Sequence, residues 1–339
     1  MPDKVDIWAL GDLCTPWCIH VAATLGIAGH IAGGITRIED LAAASGAVSD
    51  SLIRVLRHLV NKGVFEEPSP GCFALNEPAL ALLDSTARIG FDLTGIGGRM
   101  AYAWGTLLNA VKTGAPAYDS IFRVPFWEDL KANPDIGASF DSLMGPAGHG
   151  APDPDVQISG GWESVRRIVD VGGGTGALLA SILRAHADVR GILVDLPQTI
   201  DRSKEIFQAA GVADRATAVA LSFFDPLPSG ADLYLLKSVL SDWPDREALL
   251  ILKICAEAAR PAGRVVILNG VVPDSDYGPS PELLTMVLVG GKSRTVTEFQ
   301  ELAHEAGLEI IAAGPQPSGR FVVECRPAPS SGRPGTALA

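Results

Sequence analysis

The sequence predicts an α/β fold: a mostly parallel sheet with an antiparallel edge, preceded by a mainly helical N-terminal region. Three observations predict it. The first hundred residues carry apolar-rich helical stretches and one short hairpin pattern. From Val165 onward, strand-like runs alternate with helical segments, which gives parallel strands with helices on both faces. The last two strand-like runs form a pair, which suits an antiparallel edge. A chain of 339 residues, 47% of them apolar, suits two domains and buries large cores.

In chain order, "TPWCIHVAATLGIAGHI" reads as one apolar-rich helix and "RIEDLAAASG" as a short helix closed by Gly46. "SDSLIRVLRHLVNKG" reads as a helix with a Ser/Asp cap, with Leu52, Val55, Leu56, Leu59 and Val60 on one side. "VFEEPSPGCFAL" is two short strands around a Pro-Gly turn. Helix, helix, hairpin is a winged-helix-like pattern, but the charges oppose DNA binding. Residues 1–100 hold seven Lys/Arg against eleven Asp/Glu, and the whole chain carries −12. Arg54, Arg57, His58 and Lys62 on the supposed recognition helix read as a solvated face, so the region is expected to serve dimerisation.

Residues 101–155 read as a helical connector. Phe126, Trp127, Leu130, Phe140, Leu143 and Met144 fall there at helical spacing, and "GPAGHGAPDPD" is a breaker-rich linker. The expected division is therefore 1–100, 101–155, a sheet domain over 156–327 and a disordered tail over 328–339. Five Cys, odd in number and irregularly spaced, point to reduced thiols in a cytoplasmic protein. Cys14 and Cys18 lie i, i+4 on a helix. With no partnering His or Cys cluster in the sequence they read as small core-facing residues, and no metal is expected. No run is long and apolar enough for a membrane span, and no signal peptide is visible.

The strands of the sheet domain are "RRIVDVG", "VRGILVDLP", "ATAVALSFF", "ADLYLLKS", "GRVVILNGVV", "LEIIAAGP" and "GRFVVECRP". The helices include "ALLASILRAH", "TIDRSKEIFQAAG", "DREALLILKICAEAA" and "TVTEFQELAHEAG". The sharpest motif is "VDVGGGTGALLASIL". A buried strand runs into Gly172, Gly173, Gly174 and Gly176, where glycine permits unusual φ and close approach of a ligand. Asp195 ends the next strand about twenty residues on, where a carboxylate grips ribose hydroxyls. Gly172, Gly174 and Ala177 satisfy a dinucleotide fingerprint, but Asp170 argues against a pyrophosphate. A carboxylate two residues before the first glycine repels phosphate and attracts positive charge. S-adenosylmethionine (SAM) fits: it has ribose and adenine, no phosphate, an ammonium and a sulfonium.

With "VAATLGIAGHI", "LIRVLRHLV", "FWEDL", "ASFDSLM", "IVDVGGGTG", "SFFDPLP", "DWPD" and "VGGKSRTVTEF" on the page, the chain resembles the two-domain SAM-dependent small-molecule O-methyltransferases of plants and bacterial antibiotic pathways. It is similar in particular to the bacterial naphthoate O-methyltransferases of enediyne biosynthesis. The likeness runs from about Leu10 to Pro327. It implies a Rossmann-like cofactor domain, a homodimer formed through the N-terminal region, S-adenosylhomocysteine as product and an aromatic or polyketide-type substrate. It also implies that Asp170 and Gly172 contact the methionine part of SAM, with Gly174 in the same loop. Asp195 takes the ribose, Leu196 lies beside the adenine, and Ser222 and Phe223 flank it. Lys237 matches a cofactor-contacting lysine. Phe224 and Trp243 complete the cofactor set, each with core packing or loop closure as the plainer alternative.

One departure stands out. Where many family members place a catalytic His, "SVLSDWPD" has Ser241. The position matching a supporting Glu is Asn269, while Glu282 matches a retained acid. A Ser hydroxyl is not a useful general base. Four readings stay open. The acceptor is an already acidic oxygen and positioning suffices; Asp242, Glu282 or His149 is the base; the acceptor is carbon or nitrogen; or SAM is bound without transferring its methyl, with Ser241 and Asn269 donating hydrogen bonds to a substrate carbonyl. A ligand-sensing regulator is a further, weaker alternative. The substrate pocket is expected between the domains, walled by Trp104, Phe126, Met144, Leu283 and Met286 with His149 from the linker.

Overall fold

The computed structural model describes residues 5–144, 156–275 and 282–329. The linker that contains His149 and the tail beyond Pro329 lie outside the described residues. Chain contacts divide the molecule into two compact units. One comprises residues 1–104 and 127–143; the other comprises 105–126 and 144–339. The connector is thus shared between the units, its first part folding with the sheet and its second with the N-terminal helices.

In the first unit the expected single helix is two, Cys14–Thr24 and Ile27–Ala32, because Gly26 turns left-handed at φ 63° between them. The helix Ile38–Ser45 ends at Gly46, as expected, and Ser49–Asn61 follows. The latter is not capped by a side chain: Val48 is the N-cap residue, and Asp50 in the first turn instead pairs with Arg54 one turn on. Its Leu52, Leu56 and Leu59 are buried with Leu41, Phe65 and Phe73. The hairpin is β1 (Phe65–Ser69) and β2 (Cys72–Leu75). Arg57 binds Glu67 of this hairpin with two nitrogens, Lys62 binds Asp12 at 3.1 Å, and His58 meets Thr15 at 2.8 Å. Every basic group of the supposed recognition helix is engaged within the unit. The reading of Cys14 and Cys18 as a core-facing pair needs correction. Cys18 is buried, but Cys14 is exposed. The long helix packs across Cys14–Thr24 and brings His58 beside both.

The second unit is built on seven strands. They are β3 (Arg167–Val171), β4 (Arg190–Asp195), β5 (Ala216–Ala220), β6 (Leu233–Lys237) and β7 (Arg264–Leu268), then β10 (Leu308–Pro315) and β11 (Phe321–Pro327). A separate two-stranded parallel ladder joins β8 (Val271–Val272) to β9 (Arg294–Thr295). The large sheet runs β10-β11-β7-β6-β3-β4-β5, parallel except at β11 and β10. The order reverses between β3 and β6, so their carboxyl ends form the crevice where α/β sheets bind ligands.

Alternation along each strand fills both faces. Val169, Tyr234, Leu236, Val265 and Ile267 pack with the helices Asp245–Ala258 and Val296–Glu305. Ile168, Leu233, Leu235, Val266 and Leu268 pack with the helix Ala177–Ala185. The run "GRVVILNGVV" is not one strand. Asn269 and Gly270 both take positive φ, 66° and 91°, and turn the chain from β7 into β8. Likewise β5 stops at Ala220, which puts Ser222–Phe224 in a loop beyond the strand end.

Candidate active site

Two loop systems meet at the carboxyl ends of β3, β4, β6 and β7. The first is the glycine loop. Gly172 has φ 67° and donates its N–H to the Val194 carbonyl at 2.8 Å. A side chain there would reach Val239 at 2.9 Å and Phe223 at 3.3 Å. Gly173 covers Asp170 so closely that a Cβ would collide with the carboxyl group. Asp170 pairs in register with Leu193 and Leu235, on the apolar face that carries Ile168. It is 1% exposed, and neither oxygen has a hydrogen-bond partner among the described residues. Burial, then the nearby charge of Asp195, pushes its carboxyl up to about 7, against a smaller opposing pull from Lys237. Buried polar groups almost always have partners, so this carboxyl is exceptional.

Asp195 differs. One oxygen accepts from Gly174 N at 2.8 Å and the other from Leu196 N at 2.7 Å. It therefore ties the glycine loop to the end of β4. Leu196 beside it is exposed. Phe223, Phe224 and Trp243 form an aromatic cluster, with Trp243 edge-on to Phe223 at 5.9 Å and to Phe224 at 4.8 Å. Ser222 Oγ accepts from Phe224 N at 3.2 Å, which shapes the turn that presents both rings. Lys237, at the last position of β6, is partly exposed.

The second system is the loop after β6. Residues Leu240–Asp242 form one turn of 3-10 helix that carries Ser241. Ser238 and Asn269 close the ends of the neighbouring strands, both left-handed, at φ 55° and 66°. The Asn269 amide donates to Ser238 Oγ at 3.2 Å, so this amide faces Ser238. Asp242 is pushed up to about 7 by burial. Glu282 Oε2 accepts from Ser293 N at 2.7 Å. The next residue, Arg294, is 2% exposed. Its guanidinium donates to the carbonyls of Leu240 and Trp243, each at 2.9 Å, and to Asp245 Oδ1 at 2.8 Å. Gly270 and Gly291 crowd Ser241; a Cβ on Gly291 would strike its carbonyl oxygen.

Of the expected substrate-wall residues, Phe126, Met144, Leu283 and Met286 belong to the sheet unit and Trp104 to the helical one. Phe126 is buried edge-on against Tyr118 at 5.3 Å, while Leu283 is 47% exposed. Ser238 and Arg294 were not singled out in the sequence. Arg294 had a signal, a guanidinium beside Lys292 in the otherwise small and polar run "GGKSRTVTE". Ser238 had none, since no residue pattern announces its φ.

With this geometry in view, the chain matches the O-methyltransferase domain over residues 104–309. The chain belongs to the O-methyltransferase domain family. It is 40% identical over 315 residues to the 2,7-dihydroxy-5-methyl-1-naphthoate 7-O-methyltransferase of Streptomyces carzinostaticus, covering 92% of this chain and 94% of that protein. It is 36% identical over 318 residues to the aclacinomycin 10-hydroxylase RdmB of Streptomyces purpurascens, covering 89% and 83%. Among solved structures it resembles NcsB1, an O-methyltransferase from neocarzinostatin biosynthesis crystallised with SAM and 2-hydroxy-5-methyl naphthoic acid. The TM-score is 0.85 at 38% identity, covering 96% of this chain and 99% of that one. The expectations of a two-domain natural-product O-methyltransferase and a Rossmann-like sheet domain hold.

Proposed function

We propose that the protein is a SAM-dependent methyltransferase that modifies an oxygen of an aromatic or polyketide-type natural product. The observation that carries the reading is Asp170, a buried carboxyl under a glycine loop with no partner among the described residues. Leaving such a group unpaired costs about 1–3 kcal/mol, and an ammonium-bearing ligand removes that cost. Asp195 beside it can exchange its backbone donors for ribose hydroxyls, and the aromatic cluster offers faces to an adenine or a sulfonium. The residues thus fit SAM, which when bound supplies an electrophilic methyl group. Gly172, Gly174, Leu196, Ser222, Phe223, Phe224, Lys237 and Trp243 complete the proposed cofactor set.

The chain's own contribution is to hold the acceptor. Ser241 and Asn269 orient it as hydrogen-bonding groups, Glu282 stiffens the segment that carries Arg294, and Asp242 is the base. A carboxyl held near 7 is half ionised at neutral pH, which suits proton removal from an acidic phenol. Trp104, Phe126, Met144, His149, Leu283 and Met286 are the proposed substrate contacts. Residues 156–327 form the cofactor domain in this assignment, and 101–155 contribute to the substrate site.

Residues 1–100 form the dimerisation region. Val5, Ile7, Trp8, Leu10 and Leu13 are each more than two-thirds exposed, an apolar row that a second copy would cover. Neither nucleic acid nor membrane is a proposed partner: the net charge is −12, and among the described residues no helix is long and apolar enough to cross a membrane. Five free thiols suit a reducing cytoplasm.

A second reading is supported by the replaced His and by the likeness to a hydroxylase: SAM bound as a charged element without transfer of its methyl. One measurement separates the two. Purified protein is incubated with SAM and a hydroxynaphthoic acid panel, and S-adenosylhomocysteine is counted against product. One-to-one formation supports transfer; a modified product with SAM unconsumed establishes the second reading.

A further inference from the structure

We infer that Cys14, Cys18 and His58 form a binding site for a borderline-soft divalent cation, Zn2+, in the N-terminal unit and separate from the cofactor loops. Cys14 Sγ and Cys18 Sγ stand 3.9 Å apart, one turn from each other on the helix Cys14–Thr24. Two sulfurs bound to zinc at about 2.3 Å in a tetrahedron are ~3.8 Å apart, so the sulfurs already have the spacing of a zinc site. A ring nitrogen of His58, from the helix Ser49–Asn61, lies with both sulfurs in a set whose members are all within 4.8 Å of one another.

The imidazole is held in place. Thr15 Oγ1 donates its only hydrogen to Asp12 Oδ2 at 2.5 Å and lies 2.8 Å from His58 Nε2. Nε2 is therefore the donor in that contact, and the lone pair of the neutral ring rests on Nδ1. Outer hydrogen bonds of this kind fix the tautomer and tilt of metal-bound histidines. Asp12 is itself fixed by Lys62 at 3.1 Å and by the N–H groups of Cys14 and Thr15. Two thiolates neutralise a dication, and the exposed side of Cys14 leaves the fourth position to water. Capture of the ion would staple two helices of this unit beside the Thr15–His58 hydrogen bond that already joins them. The binding step forms two metal–sulfur bonds and one metal–nitrogen bond, and two thiol protons pass to solvent.

The test uses the full chain, reduced and freed of metal, titrated with Co2+ as a coloured substitute for Zn2+. The expected result is saturation at one equivalent per chain, with a thiolate-to-cobalt charge-transfer band that Zn2+ abolishes. C14S and C18S remove the band, and H58Q weakens binding at least tenfold. Zn2+ raises the melting temperature of the unaltered chain but not of the C14S/C18S variant. Cys14 is exposed, so C14S alone remains a valid test if C18S does not fold. Absence of saturable one-to-one binding by the unaltered chain overturns the assignment. So does a charge-transfer band that persists in C14S/C18S, since it would then arise from Cys72, Cys255 or Cys325.

Discussion

The glycine loop and the loop after β6 sit at the carboxyl ends of neighbouring central strands, yet they are stabilised in opposite ways. The glycine loop is held by the next strand of the same βαβ unit: Gly172 bonds to β4, and Gly174 to Asp195 at the end of that strand. The loop after β6 is held from about fifty residues away, by Arg294 on the carbonyls of Leu240 and Trp243. The difference teaches that the cofactor end of the site is a local motif, whereas the acceptor end is a tertiary construction. Substitutions should therefore separate the two ends.

Removing the guanidinium gives the largest separation. Arg294→Ala takes the guanidinium from the carbonyls of Leu240 and Trp243 and leaves Asp245 to Lys292 alone. It is expected to lower stability by about 3 kcal/mol and turnover at least a hundredfold. SAM affinity changes less than tenfold, as read by urea unfolding, single-turnover rates and calorimetry. Arg294→Lys, which keeps the charge but not the fork, recovers stability better than turnover. Equal losses at both ends would break the comparison. The converse substitution, Asp195→Ala, removes charged hydrogen bonds worth about 2 kcal/mol. SAM affinity should then fall roughly thirtyfold while the pH profile of turnover keeps its shape; unchanged affinity by calorimetry would overturn the cofactor assignment.

A third expectation sharpens the comparison through pH. Asp170 stands at about 7 in the folded chain against an ordinary 3.8. A carboxyl raised by folding contributes its stability fully below the unfolded value and loses it as pH rises through the folded one. The ligand-free protein should thus unfold at lower urea at pH 8.5 than at pH 5.5. Asp170→Asn should remove part of that drop, and SAM should remove the same part in the unaltered chain. Asp242 shares the direction, so the drop in Asp170→Asn is reduced rather than abolished. A pH dependence identical in the variant would show that Asp170 ionises freely. The smallest effect is expected from Ser241→His, which should alter turnover on a simple phenol less than threefold. Asn269 offers no carboxylate to steady an imidazolium, and its amide is engaged with Ser238. A clear gain in rate would show that the loop needs no acidic partner.

The same contrast governs what the sequence made legible. The β3–glycine–helix unit, the position of Asp195 and the antiparallel edge of β10 and β11 follow from periodicity and glycine spacing, which are local. So does the cap at Gly46. The break after β7 was written locally in the Asn269-Gly270 pair, where both residues take positive φ, but the apolar run on either side reads as one strand. The pairing of Asn269 with Ser238 joins the ends of two strands, and the partners of Arg294 lie across the fold. His58 beside Cys14 and Cys18 was hidden for the same reason: two helices bring together residues forty-four positions apart. Sequence spacing identifies what one element presents, and packing decides what meets it.

Arg294 grips its loop by the carbonyl oxygens of Leu240 and Trp243, a kind of atom that every residue possesses. The path of the loop is therefore held through its backbone, while Gly270 and Gly291 set the room around residue 241. The mount would outlast a change at its tip, but a new base at residue 241 would also need an acidic partner where Asn269 now stands.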